Sequence, residues 1–178
     1  LRSVTLIGYE IGPDGLIVDA TLTNTIAGSE RGGELTANWV PTANLRLQAY
    51  WSELRMNLHD RAAINRFPLA KNYEGSTPER QVGLRSDWDL APLWALTLQL
   101  KYVDELQQPF NYALLGSGKI DDYVDADLRL GYQPLPAVEL ALIGKNLLDG
   151  ARLEYSSESG ATLTETRRAA YLRVTWSF

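Results

Sequence analysis

The stretch Ala95-Leu96-Thr97-Leu98-Gln99-Leu100-Lys101-Tyr102 decides the fold, because its apolar and polar residues alternate without a break. Successive side chains of a β-strand point to opposite faces. The three leucines therefore lie on one face, and the threonine, glutamine and lysine lie on the other. A helix would instead repeat its apolar residues every three or four positions. The stretch predicts a β-strand with one apolar side.

The same alternation recurs along most of the chain. About eight segments show it, at residues 4–10, 34–40, 45–52, 81–90, 95–102, 124–132, 138–142 and 171–178. Two of them are predicted to extend, over 138–155 and 164–178, well beyond the five or six residues usual for soluble strands. No segment keeps a helical stripe for long, so almost no helix is expected.

Short and long connections alternate between these segments. The short connections contain proline and lie at 41–44, 91–93 and 133–136, whereas the long polar ones lie at 59–77, 107–119 and 156–162. In an antiparallel meander this places every short turn at one end and every long loop at the other. The sequence therefore predicts an all-β, up-and-down antiparallel meander of about eight long strands.

Aromatic placement favours a membrane-spanning barrel. Trp39, Trp88, Trp94, Tyr132 and Trp176 lie beside short turns or the chain end, as an interfacial aromatic girdle requires. The polar faces carry arginine, aspartate, lysine and glutamine in strand after strand, as a water-lined lumen would. A soluble barrel of the lipocalin type, with its apolar face inward, is the alternative, because alternation does not distinguish inside from outside.

Composition narrows the function classes. The 178 residues include 17 Lys+Arg and 22 Asp+Glu, a net charge of -5 that argues against nucleic acid as a partner. The absence of cysteine excludes disulfides and thiolate chemistry. Nothing after Leu1 resembles a signal peptide, and no apolar run reaches the length of a membrane helix. We therefore expect the chain to be a piece of a longer protein.

The last strand resembles the C-terminal signature of outer-membrane proteins. It ends in Phe178, with apolar Leu172, Val174 and Trp176 at every second position before it. In that class the signature is read by the barrel-assembly machinery. The resemblance implies that this machinery is a partner and that these four residues form the assembly signal.

Three longer stretches resemble the barrel of TonB-dependent outer-membrane receptors. Residues 32–50 are similar to the family's Gly-x-Glu strand, turn and returning strand, and residues 76–104 to the next pair of strands. Residues 122–149 end in Gly-Lys-Asn-Leu-Leu-Asp, which resembles the family's Gly-x-Asn-Leu-Phe-Asp block with Leu148 where phenylalanine is usual. Their order and spacing cover most of the chain.

This resemblance implies an active-transport receptor in the outer membrane of a Gram-negative bacterium. Such a receptor binds a scarce nutrient, typically an iron–siderophore or similar chelate, and imports it when TonB pulls on a plug domain inside the barrel. Nothing here resembles a plug, and eight strands are too few for a barrel of about 22. Residues 1–178 are therefore expected to be the C-terminal segment of such a barrel. The alternative is a small stand-alone eight-stranded outer-membrane barrel with a structural or adhesive role.

Two of the long loops are candidates for ligand binding. They mix cationic and aromatic residues, a combination suited to an anionic, aromatic-rich ligand such as a metal–siderophore chelate. The alternative is a pair of surface loops with no ligand. The candidates are Arg61, Arg66, Phe67, Lys71 and Tyr73 in the first loop and Phe110 and Tyr112 in the second.

The sequence contains no credible catalytic or metal site, so no enzyme activity and no cofactor is expected. His59 is the single histidine, and its neighbouring carboxylates have no ligand spacing. Adjacent Asp121 and Asp122 point to opposite faces of a strand. Asp125 and Asp127 share a face with the basic residue at 129, which predicts a lumenal ladder of cross-strand charge pairs.

The alternation of apolar and polar residues is interrupted at two places, and both contain glycine. In residues 144–149, Gly, Asn and Asp break the pattern, as at a β-bulge that bends a strand. Gly32 and Gly33 are predicted to do the same above Trp39.

Overall fold

The computed structural model describes residues 3–13, 15–23, 26–61, 69–107, 119–148, 150–154 and 165–178. Strands account for nearly all of its regular structure. In the described residues no helix has the length and apolar character needed to cross a membrane. The elements are β1 Ser3–Gly12, β2 Gly15–Thr23, β3 Ile26–Thr42, β4 Leu45–Asp60, α1 Leu69–Gly75, β5 Arg80–Ala91, β6 Trp94–Val103, β7 Tyr123–Leu135, β8 Val138–Lys145, β9 Ala151–Arg152, β10 Thr166–Arg167 and β11 Ala169–Trp176.

Seven strands form one antiparallel sheet in the order β11-β8-β7-β6-β5-β4-β3. Strands β3 to β8 are neighbours in chain order, and β11 returns beside β8, which is the predicted meander. The turns β3–β4, β5–β6 and β7–β8 are short and lie at one end of the sheet, and the long connections lie at the other. Hairpin β1–β2 and the pair β9–β10 form separate two-stranded sheets.

The seven-stranded sheet is open in the part of the chain that the structure describes. β3 pairs only with β4, and β11 pairs only with β8. A closed barrel would leave no such edges. The described residues therefore form an open wall and not a complete barrel.

The register places most of the large apolar residues of the seven strands on one face. Trp39 lies opposite Leu47, Trp88 opposite Leu96, and Leu142 opposite Leu172. Many of these side chains are exposed, and Leu172 is 67% exposed. No second layer of the described structure covers this face, unlike the apolar interior of a soluble barrel. We call it the outward face.

The opposite face is polar. A hollow of about 180 Å³ lies on it, lined by side chains that include Gln48, Arg85, Gln99, Lys101 and Asp127. A sheet with polar side chains on one face and apolar ones on the other has the arrangement of an outer-membrane barrel wall. We call the polar side the inner face.

The aromatic residues predicted to share one level do so. Trp94 and Tyr132 are register partners whose rings stack with centroids 4.5 Å apart. Trp88 lies opposite Leu45, next to the β3–β4 turn, and Trp176 lies opposite Val138, next to the β7–β8 turn. The short-turn end therefore carries an aromatic row.

Strand lengths differ from the prediction. The longest strands are β3 with 17 residues and β4 with 16, whereas β8 and β11 have eight each. The segments predicted to run over 138–155 and 164–178 are each broken into a long strand and a two-residue strand. The expectation of almost no helix also has one exception, the seven-residue α1 inside the first long connection.

Neither predicted bulge occurs in the residues that the structure describes. β8 ends at Lys145, and Asn146 takes a left-handed conformation with φ of 52°, so the chain leaves the sheet there instead of bending within it. The β3–β4 register runs through Gly32 and Gly33 without a shift. A Cβ on Gly32 would lie 2.5 Å from the Glu53 carbonyl oxygen, so this glycine permits a close backbone approach.

Candidate functional site

The inner face carries ion pairs from one end of the sheet to the other. Near the short turns, Arg46 lies 3.1 Å from Asp89, and Arg129 pairs with Glu139. Further along, Arg85 Nε lies 2.7 Å from Asp87, which also accepts a hydrogen bond of 2.8 Å from the Thr97 hydroxyl. The predicted ladder of charge pairs is present, although its members pair within strands as well as across them.

The densest part of the inner face surrounds Asp127 on β7. Lys145 Nζ lies 2.5 Å from one of its carboxylate oxygens, and the Asn146 backbone N–H donates to the other at 3.0 Å. Asp127 therefore accepts the donors that become available where β8 ends. It fixes the point at which the chain turns away from the sheet.

Asn146 connects this turn to the strands that follow. Its side chain is 2% exposed, its amide donates to the Thr166 carbonyl at 3.3 Å, and its amide oxygen accepts from Arg152. A positive φ is tolerated by asparagine better than by most residues. Asn146 thus links β7, β9 and β10 at the base of the third long loop.

Arg152 completes the cluster. Its guanidinium is 3.2 Å from Asp125, 2.7 Å from Glu154, and 4.1 Å from the centre of the Tyr123 ring. Lys101 lies over the same ring at 5.8 Å. We call Lys101, Tyr123, Asp125, Asp127, Lys145, Asn146, Arg152 and Glu154 the inner-face cluster.

One acceptor of the inner-face cluster is unused. Among the described residues, Asp125 Oδ1 is the buried side-chain oxygen or nitrogen with no hydrogen-bond partner. Asp125 also borders the hollow on the inner face. Nothing in this cluster pairs a nucleophile with a base, so its contacts support a structural role.

The first long connection is fixed at its base by α1. Ala70 packs with Ile26 and Leu58 in a buried apolar cluster, and Tyr73 packs against it from outside. Glu74 accepts from the Leu58 backbone N–H, and Lys71 lies 2.6 Å from Glu74. β4 continues past the residues that pair with β5, and α1 covers this unpaired part of its edge.

The charge on Glu74 is stabilised by these contacts. Its burial raises the pKa, but the hydrogen bonds from Leu58 and Lys71 and the lysine charge outweigh that effect, so the pKa lies below the ordinary 4.5. Glu74 is therefore ionised where it closes α1 onto β4.

The second long connection is closed by a short bridge. The backbones of Leu106 and Ile120 exchange hydrogen bonds of 2.8 and 3.0 Å. Lys119 Nζ lies 2.6 Å from Glu105, and this lysine holds the pKa of that carboxyl below its usual value. The bridge brings the two ends of the loop together close to the point where β6 ends and β7 begins.

The predicted ligand residues fall partly in the described structure. Arg61 is exposed just after β4, whereas Lys71 is ion-paired and Tyr73 packs against the α1 cluster. The remaining candidates, Arg66, Phe67, Phe110 and Tyr112, lie outside the described residues. His59 is on β4, and no group of three potential metal ligands occurs in the described part of the chain.

The predicted assembly signal lies on the outward face at the end of the sheet. Leu172 and Val174 are opposite Leu142 and Leu140 of β8, and Trp176 is opposite Val138. Phe178 follows the strand and is fully exposed. All four side chains are accessible along the free edge of β11.

Sequence reasoning did not find the inner-face cluster as a unit. It predicted Asp125 and Asp127 as lumenal, but Arg152 and Asn146 join them only because the chain turns at the end of β8. The one available signal was the Gly-Lys-Asn interruption of the alternation.

The sheet has a counterpart in solved structures. The siderophore receptor PirA from Acinetobacter baumannii matches 100% of this chain with a TM-score of 0.66 and 17% identity, over 28% of its own length. The fold is that of an outer-membrane receptor barrel. This confirms, for the fold, the resemblance to TonB-dependent receptors.

Two further receptor-barrel structures agree. A mutant of the ferric enterobactin receptor PfeA from Pseudomonas aeruginosa matches 99% of the chain with a TM-score of 0.64, 16% identity and 27% of its own length. The copper transporter OprC also matches 99%, with a TM-score of 0.63, 18% identity and 27% of its length.

The chain thus spans less than a third of these barrel proteins. All three are described as receptors or transporters. No protein-family model matches the sequence, and no curated protein matches it.

Proposed function

We propose that residues 1–178 are the C-terminal segment of the barrel of an outer-membrane receptor that actively imports a scarce nutrient. The observation that carries this proposal is a membrane-type wall, apolar outside and charged inside, in a fold shared with siderophore receptors and a copper transporter. The open edges of β3 and β11 favour a segment of a larger barrel over a stand-alone eight-stranded one.

The proposed ligand is an iron–siderophore or a similar metal chelate. The first long loop would contribute Arg61, Arg66 and Phe67, and the second Phe110 and Tyr112, since cationic and aromatic groups suit an anionic, aromatic chelate. Lys71 and Tyr73 belong to the same proposed surface, but their contacts with Glu74 and the α1 cluster favour a supporting position at the base.

Transport would be energised through TonB acting on a plug domain outside this chain. The inner-face cluster is the part of the wall that would face such a plug or the passing ligand. The bilayer and the barrel-assembly machinery, acting on the last strand, are the other proposed partners.

Binding of ferric chelates tests the ligand proposal. The full-length protein in outer-membrane vesicles is titrated with radiolabelled ferric catecholate and ferric hydroxamate chelates. Replacing Arg66 and Tyr73 with alanine should weaken binding of one chelate at least tenfold, whereas R167A, on the exposed β10, should leave it unchanged. Equal affinity of the double variant would contradict the loop proposal.

Uptake tests the energy source separately. Cells producing the full-length protein should accumulate the bound chelate, and accumulation should stop in a strain lacking TonB while surface binding persists. Undiminished accumulation without TonB would refute energised transport and leave a passive or adhesive barrel.

A further inference from the structure

The outward face of β3, β4 and β5 ends in an arginine cluster above the apolar band. In the register, Leu35, Trp51 and Val82 form one row across the three strands. Two residues further toward the long loops, the corresponding row is Gly33, Glu53 and Arg80. Because side chains alternate between faces, these rows point the same way.

The next outward row pairs two like charges. Arg31 on β3 lies directly opposite Arg55 on β4. Like charges in cross-strand positions repel and destabilise the pair. Arg31, Arg55 and Arg80 are all exposed. We call these three residues the outward arginine cluster.

The neighbouring carboxylates do not neutralise this cluster. Glu53 pairs with Arg55 Nε at 2.8 Å, but Arg31 and Arg80 have no ion pair within the described residues. Asp104 donates its backbone N–H to the Arg80 carbonyl, while its carboxylate accepts from the Tyr102 hydroxyl at 2.9 Å. Within β3, β4 and β5 the three arginines outnumber the one outward carboxylate of this cluster, Glu53. Asp104, directly after β6, adds a further carboxylate beside Arg80, so the excess positive charge lies on the β3–β4 side, where a bound anion would compensate it.

The distance of the outward arginine cluster from the short-turn end indicates which part of the membrane surrounds it. From Leu45 at the short-turn end to Arg55, β4 advances ten residues, or about 33 Å at roughly 3.3 Å per residue. With a strand tilt of about 40°, this corresponds to about 25 Å along the membrane normal, which is the height of the apolar band of such barrels. The arginines therefore lie where lipid head groups begin on the long-loop side.

Arginine suits a phosphate at this position. Its planar guanidinium binds phosphate oxygens through two parallel hydrogen bonds, and clusters of basic residues at this depth attract anionic head groups. We propose that Arg31, Arg55 and Arg80 bind a phosphate group of a phosphorylated lipid in the outer leaflet of the membrane. The proposal depends on the membrane orientation of the wall and not on the transported ligand.

Lipid titration tests the proposal. The full-length protein in detergent is titrated with bisphosphorylated lipid A, with its dephosphorylated form and with inorganic phosphate, and binding is read by native mass spectrometry. We expect the phosphorylated lipid to bind at least tenfold more tightly than either other probe. The variant R31Q/R55Q/R80Q should lose that advantage.

Matched controls keep the outcome interpretable. The variant R167Q/R168Q/R173Q removes three arginines elsewhere and should bind within twofold of the wild type. Folding is checked by the heat-dependent shift in gel mobility, and if the triple variant does not fold, R31Q and R80Q alone should each weaken binding at least threefold. Chelate binding on the same preparations should be unchanged, which separates this proposal from the proposed function.

Three results would overturn it. One is equal lipid affinity of the wild type and the folded arginine variants. Another is equal affinity for phosphorylated and dephosphorylated lipid, which would mean that acyl chains alone are recognised. The third is inorganic phosphate binding as tightly as the lipid, which would make the cluster a site for free phosphate.

Discussion

The two faces of β6 are formed by alternate residues of the same strand, yet their surroundings differ. Leu96, Leu98 and Leu100 lie on the outward face, where no other layer of the described structure covers the sheet. One position away, Thr97 donates to Asp87, and Lys101 lies over the Tyr123 ring. The outward face thus depends on an apolar solvent for its stability, whereas the inner face depends on internal ion pairs. A strand of this kind is stable only at a boundary between lipid and water.

Of the changes considered, a charge placed on the outward face should lower the free energy of unfolding most. Leu98→Arg puts a cation near the middle of the membrane-facing side of β6, at a cost of about 2–4 kcal/mol. The free energy of unfolding of the full-length protein in lipid vesicles, measured by urea titration, should fall by that amount.

The neighbouring position provides the matched control. Gln99→Arg introduces the same side chain on the inner face, opposite Asp127 and Arg85, and should cost less than half as much. Equal losses at the two positions would mean that both faces meet the same solvent.

Breaking the inner-face cluster should have the next largest effect. Asp127→Ala removes the acceptor of both Lys145 and the Asn146 N–H, and should cost about 1–3 kcal/mol because a buried donor and a cation lose their partner. Hydrogen exchange of residues 144–152 should accelerate. Asp121→Asn, at an 84% exposed side chain, is the control and should leave exchange unchanged.

Acidification should release α1 with a smaller, local effect. Glu74 has a lowered pKa in the folded chain, so its contribution is fully present above the ordinary value of 4.5 and is lost as the pH falls through the lowered value. After correction for the slower intrinsic exchange at low pH, the protection of residues 69–75 against hydrogen exchange should therefore fall below pH 4.5. The variant E74Q should show no such pH dependence, and an unchanged dependence in that variant would assign it to another group.

The alternation of residues was enough to predict the seven strands of the main sheet, their order and the end that carries the short turns. It did not predict β2, and the first predicted strand, β1, pairs with β2 in a separate hairpin and does not join the meander. It also placed Asp125 and Asp127 on the inner face, because a period of two fixes the face of each residue once the strand is known. Which face meets lipid did not follow from the pattern, since a soluble barrel alternates in the same way.

The parts that the sequence did not predict depend on tertiary contacts. α1 is short, and its position is fixed by Glu74 reaching the Leu58 N–H rather than by any long apolar stripe. The end of β8 depends on Asn146 accepting a positive φ while Asp127 satisfies its N–H. The outward arginine cluster became visible only when the register aligned residues of three strands.

Site-directed spin labelling of β6 tests the central claim most directly. The 178 residues contain no cysteine, so single cysteines at positions 96 to 101 can each be labelled in the full-length protein in a lipid bilayer. The account predicts that collisions with oxygen dominate at Leu96, Leu98 and Leu100, and that collisions with a water-soluble nickel chelate dominate at Thr97, Gln99 and Lys101. A reversed pattern, or leucine positions inaccessible to both reagents as in a packed core, would contradict it.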